Sequence, residues 1–185
     1  MVMLPSSLTV TPMAMISERP PEVEDRAVPG RWEGDLITGA ANKSAIGTPV
    51  ERSSRNVILL HLPDGRGSGK VQEAIVRKMA RLPKLMRNSL TWDQGSEMAL
   101  HGKVSVALDM DVYFCDPRSP WRRGANENTN GLLRQYFPKG ADLSIFPEEY
   151  LDAVAEELND RPRKTLEWRK PSEVFLGLIN DSLTA

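Results

Sequence analysis

With 185 residues, 40% hydrophobic and 26% charged, the chain has room for one domain with a full core and the composition of a soluble globular protein. One cysteine, Cys115, rules out an internal disulfide, and with two histidines it leaves too few ligands for an ordinary structural zinc site. The net charge of −1 announces no polyanionic partner, and no apolar run approaches the roughly 18 residues of a membrane-spanning helix, so a cytoplasmic, membrane-free protein is expected.

Residues 1–30 read as an N-terminal arm of little order. The start MVMLPSSLTVTPMAMI is a poor signal peptide, and PPEVEDRAVPG is too proline-rich and acidic for a regular element. The domain proper is expected over 31–180. Three strand-like runs, Arg31–Gly39, Ala45–Glu51 and Val57–Leu62, are joined by Gly-, Asn- and Ser-rich turns, as in an antiparallel meander. A helix is predicted from Gly69 to about Leu82, with Val71, Ile75, Met79 and Leu82 on one face. Leu90–Trp92 reads as a short buried strand, Glu97–Leu108 as a helix and Asp111–Cys115 as another strand. Helices follow at Asn126–Phe137 and Pro147–Leu158, the latter with Tyr150, Leu151, Val154 and Leu158 inward, and a final short helix begins near Pro171. Hairpins followed by strands alternating with helices predict an α/β domain: a mixed five-stranded sheet with helices on both faces.

Charge is unevenly distributed. Pro63–Leu90 holds seven Lys and Arg against two acids, Arg118–Lys139 five against one, and Arg161–Lys170 five against one. Such blocks supply the local positive surface that a phosphate backbone requires, although each could equally be an ordinary solvated face.

Three acids stand in informative settings. Asp35 alternates with Leu36 in the first strand, facing the same way as Glu33 and Ile37; a charge there is costly unless paired, metal-bound or on an exposed edge. Asp93 ends an apolar strand before Gln94-Gly95, where open sheets build their sites, but also where turn and capping aspartates are common. Glu127 shares a helical face with Gly131 and Arg134, leaving an acid, a gap and a cation open to a close-approaching backbone, while Thr129, Leu133, Tyr136 and Phe137 lie opposite. Asn126, Asn128 and Asn130 add hydrogen-bonding groups at a cost in helix propensity; a merely polar helix start is the alternative. Carboxylates without a histidine cluster select Mg²⁺ or Mn²⁺, and two such ions would suit an in-line attack on a phosphodiester. No glycine-rich phosphate loop or nucleophile elbow is present, so no small-molecule cofactor is expected.

GRWEGDLITG, NKSAIGT, WDQGSE, YFCDP, RGANENTNGLLRQYFPKG and the closing RPRKTL make the chain, from about Met15 to Phe175, resemble the catalytic core of an insertion-sequence-30 family transposase. That family belongs to the DDE transposases and retroviral-type integrases. The resemblance implies a ribonuclease-H-like fold in which the first strand lies beside the fourth. It also implies a metal-binding catalytic triad of Asp35, Asp93 and Glu127, with the family's typical 33-residue interval between the last two. The implied activity is cleavage of element ends followed by strand transfer into target DNA, by a multimer acting on paired ends in the bacterial cytoplasm and bound to the nucleoid. Arg122, Arg123, Asn126, Asn130, Arg134 and Lys139 are the expected DNA contacts. Two departures stand out. Residues 1–14 resemble nothing in the family's N-terminal helix-turn-helix region, so the chain reads as a truncated product; the alternative function is a non-catalytic remnant that binds DNA or associates with full-length transposase. Pro49 falls in the second strand, where it would delete a ladder hydrogen bond or force a bulge, at an expected cost of a few kcal/mol.

Overall fold

The structure, a computed structural model, describes residues 11–18, 28–116 and 124–184. In chain order its strands are β1 Ala14–Met15, β2 Arg31–Glu33, β3 Leu36–Thr38, β4 Ala45–Gly47, β5 Val50–Glu51, β6 Leu60–Leu62, β7 Ser89–Trp92 and β8 Asp111–Phe114. Its α-helices are α1 Ser68–Met79, α2 His101–Leu108, α3 Gly124–Leu133, α4 Glu148–Asn159 and α5 Pro171–Leu183.

The first two predicted strands are each interrupted once, at Gly34–Asp35 and at Thr48–Pro49. The interruptions face each other, and the register passes through them unshifted: Glu33 lies opposite Val50, and Leu36 opposite Gly47. The Thr48 N–H still donates to the Asp35 carbonyl (2.8 Å). On the other side of the second strand, the N–H groups of Ile58 and Glu51 donate to Pro49 and Asn56 (2.9 and 2.8 Å). Pro49 therefore removes one donor from this ladder and forces no bulge.

Joined across these interruptions, the sheet runs β6, β4–β5, β2–β3, β7, β8, β1. The meander is antiparallel; β7 lies parallel to β2, and β8 parallel to β7. The mixed five-stranded sheet is the one expected from sequence. A sixth, two-residue strand from within the predicted arm, β1, pairs parallel with β8, next to buried Ile16.

Side-chain alternation sorts the core into two layers. Trp32, Leu60, Leu62, Leu90 and Trp92 pack against Val71, Ile75 and Met79 of α1 and Val104 and Leu108 of α2. Ile37, Ile46, Val50, Val57 and Leu59 pack on the opposite face against Leu133 of α3, Phe137, and Leu151, Val154 and Leu158 of α4. Most predicted inward positions are buried. Leu82 and Tyr136 are half-buried, and Tyr150 is 39% exposed, its place on α4 taken by Ala155 while its ring stacks on Phe146. Other boundaries differ too: the third strand is assigned only over Leu60–Leu62, and α1 ends at Met79. The predicted helix Glu97–Leu108 opens as a 3₁₀ turn, Ser96–Met98; α3 runs two residues earlier and ends at Leu133; and the last helix is thirteen residues long rather than short.

Candidate active site

Asp35 and Asp93 follow two neighbouring strands, β2 and β7. β2 pairs with β7 as Trp32 with Leu90 and Glu33 with Thr91, and the Gly34 N–H donates to the Thr91 carbonyl (2.8 Å). The paired register ends at Glu33–Thr91; continued two residues, it would bring Asp35 level with Asp93. The Trp92 ring packs closely on Gly34 because Gly34 has no side chain: a Cβ there would lie 2.0 Å from that ring. Both acids are half-buried. By alternation Asp35 falls on the α3–α4 face, with Glu33, which pairs with Arg52 (2.9 Å), and Ile37.

α3 docks on this face through a polar relay. The Thr48 hydroxyl, fully buried, donates to the Asn130 carbonyl oxygen (2.8 Å), and the Asn130 amide donates to Asp35 Oδ2 (3.0 Å). The Leu36 N–H holds Asp35 Oδ1 (2.8 Å). These bonds stabilise the carboxylate as an anion and fix its orientation. Thr48 was not foreseen; its only signal was its place in the alternation between Ile46 and Val50.

Glu127 lies three residues before Asn130 on α3 and is exposed. Among the described residues no three His, Cys, Asp or Glu stand close enough to hold an ion together. The donor chemistry nevertheless suits a hard divalent cation: three carboxylates, one of them bonded to the helix that bears another. Gly131 has nothing within 4 Å of where a Cβ would stand, so the predicted gap beside Glu127 exists.

The expected DNA contacts fare unequally. Asn126 is wholly buried, with no hydrogen bond to either amide atom among the described residues, and falls on the inward stripe with Thr129 and Leu133. Asn130 is committed to Asp35. Arg134 is half-buried and donates to the Phe137 carbonyl (3.3 Å), whereas Lys139 is exposed. Arg122 and Arg123 lie outside the described residues.

Residues 25–120 match the integrase core domain family, a span that contains Asp35 and Asp93. The chain belongs to this family. Among integrase-core relatives it is 54% identical, over 90% of its length, to the transposase for insertion sequence element IS1086 of Cupriavidus metallidurans, and 50% identical, over 86%, to transposase InsI for insertion sequence element IS30C of Escherichia coli K12. It spans 49% and 41% of those two proteins. Its backbone superposes on the catalytic core domain of BIV integrase with a TM-score of 0.62, covering 83% of this chain and 98% of that one at 19% identity. The fold is thus the ribonuclease-H-like one expected. No helix among the described residues is long and apolar enough to cross a membrane.

Proposed function

We propose that the chain is the catalytic core of an insertion-sequence transposase, cutting DNA at the element's ends and joining the freed 3′ ends to target DNA. The observation that supports this reading is the bond to Asp35 from Asn130, on the helix that bears Glu127, at the end of a strand paired with the one that leads to Asp93. We assign all three carboxylates to holding Mg²⁺ or Mn²⁺, one ion or two. When bound, the metal would supply charge stabilisation for the phosphoryl oxygens and lower the pKa of an attacking water or hydroxyl. In cleavage, water gives up a proton and adds to phosphorus while the bond to the 3′ oxygen breaks; that oxygen takes up a proton to become a 3′ hydroxyl, and the phosphate stays on the 5′ side. In joining, that hydroxyl attacks a target phosphodiester and displaces its 3′ oxygen.

The chain's own residues contribute orientation. The Thr48–Asn130 relay and the Leu36 N–H hold Asp35, and the bare surface at Gly131 leaves room for a strand to lie against Glu127. The high identity to named transposases supports the reading. Paired DNA ends, a multimer and a cytoplasmic site of action belong to the same proposal.

A second reading, a non-catalytic fragment that binds DNA or associates with full-length transposase, is favoured by the lack of three gathered acids among the described residues. Thermal unfolding with and without Mn²⁺ separates the two. A ligand at ten times its Kd stabilises the fold by about 1.4 kcal/mol. The catalytic reading expects such a rise in the native chain, its loss in Asp93→Asn, and Mn²⁺-dependent nicking and joining of DNA. A melt indifferent to Mn²⁺ in the presence of DNA, with no nicking, establishes the second reading. Nicking without joining identifies a simple nuclease.

A further inference from the structure

The basic block at Arg161–Lys170 plays no part in the carboxylate site, yet the fold brings it to α3. Beside the first turn of α3, the β5–β6 hairpin turn and the loop after α4 enclose a cleft of about 240 Å³ lined by Arg55, Asn128, Arg163, Thr165 and the first two residues of α3. No carboxylate is among these lining residues.

Arg163 is half-buried and donates through Nη2 to the Leu158 carbonyl at 3.0 Å; among the described residues it forms no ion pair. Burial, reinforced by the charge of nearby Arg161, pulls its pKa down. A guanidinium carries five donors, so most of this fork remains for another acceptor, and a desolvated cation beside a second cation is stabilised when an anion arrives. Arg55 stands on a fixed support. Its turn is closed by the Arg55 N–H to the Glu51 carbonyl (2.8 Å), and the buried Glu51 carboxylate accepts from the Gly30 N–H, the Ser54 N–H and the Ser54 hydroxyl (3.1, 2.7 and 2.6 Å). Asn128 and Thr165 add neutral donors, and the positive end of α3 opens onto the same space.

Asn128 follows Glu127 directly and is turned from it by about 100° around α3. The cleft therefore flanks the acidic face without being part of it. We infer that this cleft binds a phosphodiester of the DNA strand that carries the reacting phosphate, fixing that strand on the core. The assignment rests on the DNA-acting reading above.

The test is fluorescence-anisotropy binding of a short labelled duplex to the purified chain over a KCl series from about 50 to about 200 mM. Arg163→Gln, Arg163→Lys, Thr165→Asp and Val106→Asp are measured beside the native chain, each with its melting curve. Thr165 is exposed, so Thr165→Asp keeps the test valid should Arg163→Gln fail to fold without the Leu158 bond. Val106 is 84% exposed on α2, and its substitution changes net charge equally at another place. The expected result is that Arg163→Gln and Thr165→Asp each flatten the slope of log affinity against log salt by about one. Arg163→Lys should retain most of the slope, and Val106→Asp all of it. Slopes equal to the native one in folded Thr165→Asp and Arg163→Gln overturn the cleft assignment alone. A native chain that binds no duplex at any salt overturns both the cleft and the DNA-acting reading.

Discussion

Asn130, expected from the sequence to touch DNA, bonds Asp35 in the structure. The amide's orientation follows from its neighbours: Thr48 can donate only to the carbonyl oxygen, which leaves the NH₂ for the carboxylate. A ligand carboxylate held in this way binds metal in a preset orientation, and loss of such outer partners typically weakens metal affinity by about 10- to 100-fold. Asn130→Ala is therefore expected to raise the Mn²⁺ concentration needed for half-maximal thermal stabilisation by at least about tenfold. The metal-free fold should lose only about 1–3 kcal/mol. Unchanged Mn²⁺ affinity with weakened DNA binding would return Asn130 to the contact role that the sequence proposed for it. A run of asparagines on a helix reads as polar surface, and nothing local reveals that one is enclosed at position 126 while another bridges to a strand 95 residues away.

The second strand shows how register limits the damage a proline does. Pro49 deprives one acceptor, the Ile58 carbonyl, of its ladder donor, while the ladder on the Asp35 side is complete at Thr48. Restoring the donor with Pro49→Val would add a hydrogen bond worth about 0.5–1.5 kcal/mol. It would also return about 0.4–1 kcal/mol of entropy to the unfolded chain. These effects nearly cancel. Urea denaturation should find the variant within about 1 kcal/mol of the native chain, with an unchanged m value, in place of the few kcal/mol that a strand proline implied. A gain well above that range would mean that Pro49 strains more than one bond. The interruption it shares with Gly34–Asp35 lies at the carboxylate itself, where the carbonyl of Asp35 is bonded and its side chain is turned to α3.

At the scale of the molecule, α1 and α4 cover opposite faces and meet around the edge strand β6 through charge. Lys78, with a side chain 8% exposed, reaches Glu148 and Asp152 of α4 at 3.1 and 2.5 Å, and Arg77 reaches Glu148 at 3.3 Å. Such a clasp shields an edge that would otherwise present unpaired backbone groups. Burial pushes the Glu148 carboxyl up, but Lys78 and Arg77 outweigh it, so the group ionises below the ordinary glutamate range. A depressed carboxyl contributes stability that is complete above its unfolded pKa and is lost as pH falls through the folded one. Urea midpoints should accordingly fall between about pH 5 and pH 3, and Glu148→Gln should remove part of that dependence while lowering stability at neutral pH. An acid limb identical in the two proteins would mean that the clasp is energetically silent.

By itself the sequence determined the elements, the two-layered alternation that builds the core, the family and the chemistry of its acids. These are written in local periodicity and in contiguous strings such as GRWEGDLITG and WDQGSE. Only the tertiary structure decided that β2 pairs with β7, the strands that lead to Asp35 and Asp93, that Thr48 and Asn130 orient Asp35, and that Arg55 and Arg163 line one cleft from distant parts of the chain. Those relations join residues with no spacing rule between them. They are fixed by which strand edges pair and which helix faces are buried, a property of the packed whole that no local window contains.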